Sequence, residues 1–360
     1  MGYPPPGAYP QPGYAAWYPP YGQQFPSPGV NPAACQPQAP VAPGTYGIAP
    51  SCDSCTGNGC GITGWQFFGE SLYLRARGAE VPYAVPISGP IVAPPSYPVQ
   101  VGRVASTDPE YQPGFRAGLA RAFDECSSLR ATYTFYESET SDRVTLPGAS
   151  SYVLRSLVSH PGTWTVASDG LDGQAHQDID FQIADVDYRS VFLCGPRYEL
   201  AYVAGVKYVH LEQEFGSQFD VLGTELVNTR INFDGAGIRV GLEGERRAHN
   251  CGLLVYGRTS ANFVAGEFHA NYFQADGSRG TLVNTGMTTS RVISILDLEL
   301  GVGWASPDDC IRLTAGYMVS GWFNTLLTDD WIRGVHNNSF GDLSDTLTFD
   351  GFTARAEIRF

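Results

Sequence analysis

At 360 residues the chain is long enough for two soluble domains, or for one barrel with long loops and a tail. A net charge of −14 argues against nucleic acid as a partner, because nothing on the chain would displace phosphate counterions. Charged residues make up only 16%, glycines number 42 and aromatics reach 12%. No run approaches ~18 uninterrupted apolar residues, so any membrane crossing would be made by strands.

Residues 1–50 are of low complexity, as in Tyr3-Pro-Pro-Pro-Gly-Ala-Tyr-Pro. Proline removes amide donors and the stretch has almost no charge, so it reads as a disordered, polyproline-like tail. A spacer is the plain interpretation; cell-wall or envelope polymer is the candidate partner for its Tyr-Pro repeats. No basic-then-apolar leader is visible at the amino terminus. Export therefore requires a trimmed or mis-assigned start, with a leader encoded in frame upstream of Met1.

Residues 51–63 form a cysteine-rich linker. Cys52 and Cys55 lie in one C-x-x-C-x-G-x-G unit, with Cys60 directly after it as a candidate third ligand, of the kind that pairs with a second unit to build a four-thiolate zinc shell. One unit supplies too few ligands, so disulfides are favoured over metal, and no cofactor is expected.

From residue 64 to residue 360 the pattern alternates. Ten segments stand out: Trp65–Arg77, then 114–123, 129–138, 178–192, 197–212, 233–246, 252–267, 290–304, 311–323 and 347–360. Most exceed the ~9–11 residues that a tilted strand needs to cross a bilayer. The last is the clearest. Phe352, Ala354, Ala356, Ile358 and Phe360 fall on one face, and Thr353, Arg355, Glu357 and Arg359 on the other. A wholly apolar face backed by charges of both signs is a strand between lipid and a polar lumen. Segment 178–192 shifts phase near Asp185, which points to a bulge there or to a misread strand.

Connections sort by length. Those after the second, fourth, sixth and eighth segments are short; the other five are long and polar. That is the pattern of short periplasmic turns and long extracellular loops. The expected fold is all-β: a closed antiparallel transmembrane β-barrel of about ten strands behind a disordered Pro/Gly/Tyr-rich N-terminal tail.

The stretch Gly64-Trp-Gln-Phe-Phe-Gly-Glu-Ser-Leu-Tyr-Leu-Arg-Ala, followed by Gly114-Phe-Arg-Ala-Gly-Leu-Ala and Arg130-Ala-Thr-Tyr-Thr-Phe, resembles the Legionella-type pore-forming major outer-membrane protein family. Its planctomycete β-barrel members look most similar. The resemblance covers about residues 60–360. It implies a cell outer membrane location, a pore-forming barrel, outer-membrane lipid as surroundings and Phe360 as the signal that barrel assembly machinery reads.

Inward-facing positions give the lumen-lining candidates Arg116, Arg130, Lys207, Arg239, Glu243, Arg258, Asp297, Glu299, Arg312, Arg355, Glu357 and Arg359. Ten strands enclose a bore little wider than eight-stranded barrels that side chains fill. Two readings stay open: a narrow pore for small solutes or ions, and a cross-braced, plugged barrel with a structural or surface-anchoring role. A soluble secreted β-protein or a rim enzyme ranks third. His160, His176, His269 and His336 lie in outer loops near Asp172, Asp178, Asp276 and Asp342, but no spacing fixes a catalytic dyad, so no enzyme is expected. Cys126, Cys194, Cys251 and Cys310 fall one in each short turn. With turns ~10 Å apart and disulfides needing Cα atoms within ~7 Å, bridges from Cys52, Cys55 and Cys60 to this rim are expected.

Overall fold

The computed structural model describes residues 64–89, 99–124, 126–146, 152–163, 172–195, 197–221, 223–248, 252–341 and 343–360. In chain order the first elements are β1 (Trp65–Arg77), β2 (Val81–Ile87), β3 (Ala105–Thr107), β4 (Gln112–Ala122), β5 (Ser127–Thr145) and β6 (Val153–Ser156). Then come β7 (Asp172–Gly195), β8 (Tyr198–Val221), β9 (Gly223–Arg247) and β10 (Leu253–Asp276). The chain closes with β11 (Gly280–Ala305), β12 (Ile311–Thr325), α1 (Thr328–Asn337) and β13 (Asp345–Arg359).

Ten strands form a closed antiparallel ring in the order β1-β13-β12-β11-β10-β9-β8-β7-β5-β4. Closure rests on β1, which pairs with β13 on one side, Gln66 opposite Arg359, and with β4 on the other, Gln66 opposite Ala120. A closed ring leaves no unpaired edge in lipid, where an unsatisfied backbone group is prohibitively costly. The remaining strands form a small sheet, β3-β2-β6.

Each long strand is built in two storeys. On β8 the outward residues Tyr198, Leu200, Tyr202, Val206 and Tyr208 are exposed and apolar or aromatic, while Glu199 and Lys207 point inward. From Tyr198 to Tyr208 the strand rises about 25 Å at a tilt near 40°, which matches the apolar band of an outer-membrane barrel. Above Tyr208 the faces exchange chemistry. His210, Glu212, Glu214 and Asp220 turn outward, and Val209, Leu211, Phe215 and Phe219 are buried inside. Lower down, lipid is outside and charge inside; higher up, water is outside and an apolar core inside.

This two-storey plan corrects three sequence expectations. The connections after the fifth and seventh segments are not long loops. Strands β8 and β9 run on until Val221 faces Gly223, and β10 and β11 until Asp276 faces Gly280. Glu212, Glu214, Asp220 and Glu225 therefore lie on strands rising above the membrane. Nor is there a bulge at Asp185: inward burial alternates unbroken from Gly173 to Asp187, and the irregularity lies between Val191 and Leu193. The apparent phase shift is the exchange of chemistry itself, from inward Ile179, Phe181 and Ile183 to inward Asp185 and Asp187. Finally, the long connections that remain are not merely polar; they carry β2, β3, β6 and α1.

Those inserted elements fill the upper storey. Val81, Tyr83 and Leu154 of the small sheet, and Trp331, Ile332 and Val335 of α1, share one core with Phe215, Phe219, Phe233, Phe268 and Tyr272 of the wall. Their backbone groups need partners once buried, and polar residues on the otherwise apolar inner wall provide them. Gln177 donates to the carbonyl of Ala79 at 2.7 Å, Gln213 to that of Leu326 at 2.9 Å, and Tyr272 to that of Val158 at 2.8 Å. Helix α1 carries Asp329 and Asp330 in its first turn, complementing the helix dipole, and stops at Asn338, whose left-handed φ of 50° lets the next amide reach back to Gly334.

The two storeys make opposite demands. Leu298→Arg places a cation on the lipid face and is expected to cost roughly 2–4 kcal/mol in urea unfolding from lipid bilayers. Phe268→Ala, in the upper core, is expected to cost about 3–5 kcal/mol through cavity formation.

Candidate functional site

The lower lumen is the concentration of chemistry in this molecule. Strand alternation sends every second residue of the lipid-facing band inward, so ten strands converge on a bore lined by charge. All twelve residues read from sequence as lumen-lining have their side chains there, each in at least one ion pair. Eight more join them: Glu70, Asp185, Asp187, Arg189, Glu199, Glu245, Arg247 and Asp309. The described lattice thus holds ten cations and ten carboxylates, and its net charge is zero.

The pairs run as chords across the bore as well as along the wall. Arg130 on β5 meets Glu243 on β9 at 2.7 Å, and Arg312 on β12 meets Glu245 on β9 at 2.6 Å. Lys207 on β8 sits 3.4 Å from Asp185 and 3.8 Å from Asp297 on β11. Arg239 reaches Asp185 at 2.9 Å, and Arg116 reaches Glu70 at 3.1 Å. Glu357 holds two guanidiniums, Arg355 and Arg359, each at 2.7 Å. Buried charges require such partners, because an unpaired ion in the bore would keep its full desolvation cost.

Two cavities lie within this lattice. The lower, of about 290 Å³, is lined by residues of the periplasmic rim such as Gly64 and Phe360 and reaches up to Tyr256 and Arg355. The upper, of about 80 Å³, lies among Arg116, Lys207, Arg239 and Asp297 and ends against Phe181, Trp322 and Phe349. These aromatics form a ceiling. Phe181 on β7 and Trp322 on β12 belong to diametrically opposite strands of the ring, yet their centroids are 5.7 Å apart. Phe349 packs on both, at 4.8 Å and 5.5 Å, and Tyr136 on β5 stacks on Phe181 at 5.2 Å.

Six of the eight further lattice members escaped sequence reading for definite reasons. Glu70 sits between Phe68 and Leu72 on the inner face of β1, whose outer face is equally apolar, so neither face declared itself. Asp185 and Asp187 were hidden by the supposed bulge. Glu199, Arg247 and Asp309 lie at the rim, where strand and turn are indistinguishable by period.

The histidines considered for catalysis are dispersed. His176 lies 3.4 Å from Asp178 and His269 3.6 Å from Glu267, both on outward faces. His160 and His336 meet edge to face, 6.0 Å apart, in the upper plug. A pair not anticipated, His210 with Asp234 at 2.8 Å, also faces outward. Asp276 caps its own turn through Ser278 and Arg279, Asp172 pairs with Arg143, and Asp342 lies outside the described residues. Among the described residues no group of three or more His, Cys, Asp or Glu could hold a metal ion.

The periplasmic rim carries Cys126, Cys194 and Cys310, all three disulfide-bonded. Cys52, Cys55, Cys60 and Cys251 lie outside the described residues. Phe360 ends the barrel at the same rim: its amide donates to the Trp65 carbonyl at 3.0 Å and its ring lies 5.8 Å from Phe67.

A family model described as the Legionella pneumophila major outer membrane protein precursor matches residues 58–358. No curated protein sequence matches the chain. Among solved structures it is similar to the outer membrane protease OmpT from Escherichia coli, at 12% identity and a TM-score of 0.46, over 82% of this chain and 97% of that one. It is also similar to a deletion mutant of TodX, a monoaromatic hydrocarbon channel, at 7% identity and a TM-score of 0.25, over 86% and 93% of the two chains.

Two expectations follow from this geometry. Glu357→Gln strands Arg355, whose one carboxylate partner among the described residues is Glu357, and should cost about 3 kcal/mol, whereas Arg355→Met with Glu357→Met should be far milder. In the plug, burial holds the His336 imidazole below its usual pKa while its Nε2 bonds to the Val158 carbonyl at 3.0 Å. A group with a depressed folded pKa stabilises above its unfolded pKa, and that contribution is lost as pH falls. Hydrogen exchange in α1 should therefore accelerate below about pH 6.5, beyond the intrinsic pH effect, and this extra acceleration should vanish in His336→Gln.

Proposed function

The chain belongs to the Legionella pneumophila major outer membrane protein family, and from that premise we propose that this outer-membrane barrel is closed in its resting form. Its role in this reading is structural and surface-displaying. The observation that carries it is the contact between Phe181 and Trp322 from opposite walls, backed by the filled upper storey. The balance of ten cations against ten carboxylates in the described lower lumen supports the same reading, since it offers no net charge to favour ions of one sign.

The outward face of the upper storey is what such a barrel would display. Glu137 faces Asp180, which faces Glu212; Glu139 faces Asp178, which faces Glu214. Like charges directly opposite are unfavourable in a sheet, so this acidic surface is maintained at a cost in stability.

A second reading, a narrow pore for small solutes or ions, is favoured by the stacked 290 and 80 Å³ cavities, which leave the aromatic ceiling as the barrier to be moved. A catalytic role is not proposed, because the outward His–carboxylate pairs lie away from both lumen cavities. Outer-membrane lipid around the lower storey, assembly machinery reading Phe360, and disulfides from Cys52, Cys55 or Cys60 to the rim complete the proposal. Non-reducing peptide mapping tests the last of these.

Planar bilayers decide between the two main readings. The wild-type protein should give no steady unitary current, while the triple variant F181A/W322A/F349A should give resolvable steps. Long-lived ohmic openings in the wild type would reject the closed barrel.

A further inference from the structure

The balance of charge over the whole lumen conceals a local concentration of guanidiniums. Among the described residues four line both the lower and the upper cavity: Arg130, Glu243, Arg258 and Arg355. They form the neck where the vestibule narrows, and there three guanidiniums converge, paired with Glu243 and, just above and below it, with Asp187, Glu299 and Glu357. Among the described residues the rest of the vestibule lining carries three guanidiniums and five side-chain carboxylates.

The neck arginines also have donors to spare. Each guanidinium offers five N–H groups. Among the described residues Arg258 makes a single hydrogen bond, to Glu299 at a long 3.4 Å, and otherwise lies over the ring of Tyr256 at 4.8 Å. Arg355 makes one, to Glu357 at 2.7 Å; its Nε is buried without a partner and its guanidinium lies 3.6 Å from the ring centroid of Phe68. Its side chain is only 6% exposed, so the aromatic face fixes its position. Arg130 gives Glu243 a bond of 2.7 Å.

We propose that this neck is a binding site for a small dianionic oxyanion, a phosphate or phosphomonoester, entering from the periplasmic side. The forked donors of guanidinium match phosphate oxygens in pairs, and the N–H groups that the neighbouring carboxylates leave unused are available to them. The site does not rest on the closed-barrel reading, because the neck faces the vestibule whether or not the ceiling opens.

Calorimetric titration of the full-chain protein in neutral detergent at low ionic strength tests it, with inorganic phosphate, glycerol phosphate and, as reference, chloride at matched ionic strength. Inorganic phosphate should bind saturably in the wild type and in R121Q, an outward control, and at least tenfold more weakly in R258Q and R355Q. Equal binding of glycerol phosphate identifies a site for organic phosphomonoesters; binding of inorganic phosphate alone identifies free phosphate. No saturable binding, or binding unchanged in R258Q and R355Q, overturns the proposal. If either variant lacks the folded, heat-modifiable band on gels, anomalous diffraction from wild-type crystals soaked in selenate decides. Selenate bonded to Arg258 and Arg355 is expected, and selenate elsewhere or absent overturns the site.

Discussion

A barrel strand longer than the membrane is thick must reverse its own pattern part-way along. Below the reversal the solvent outside is hydrocarbon, so apolar side chains point out and polar ones must be satisfied within. Above it the solvent is water, and the same strand needs its apolar residues inside to stay folded. Strands β7 to β11 obey both rules in turn, and the level of the exchange fixes everything else. It decides where the ion lattice ends, where the aromatic ceiling lies, and why connecting segments fold inward as a plug.

The lattice and the plug contribute differently. Burying apolar area in the upper storey stabilises at roughly 25 cal/mol per Å², so Phe233, Phe268, Trp322 and Phe349 are the residues on which folding of the extension depends. The twenty charges below add little net stability, since desolvation offsets attraction. What they supply is register. A one-residue slip of any strand would turn its charges toward lipid and its apolar face into the bore, so the lattice penalises every misaligned ring.

How much of this could be read beforehand follows from the same reversal. Strand β13 was fully legible because most of its length lies in the lower storey, where Phe352 to Phe360 alternate without exception. All twelve charges expected in the lumen lie on strand stretches of that kind. Glu214 and Asp220 fell in the connection after the fifth segment because a period-two signal that changes sign looks, over a short window, like the end of a strand. Asp185 looked like a bulge for the same reason. The small sheet and α1 were invisible because their apolar residues, Val81, Tyr83, Trp331 and Ile332, make sense only against a core that the wall itself provides.

The central claim is that water enters the lower lumen and stops at the aromatic ceiling. Hydroxyl-radical footprinting of the protein in lipid nanodiscs, read residue by residue by mass spectrometry, addresses it directly. Tyr256, on the wall of the vestibule, should be oxidised, while Phe181, Phe233, Phe268, Trp322 and Phe349 should be protected as strongly as lipid-facing Phe263. Oxidation of Phe181, Trp322 and Phe349 at the rate of an exposed aromatic would mean a continuous water path through the barrel, and would contradict the account.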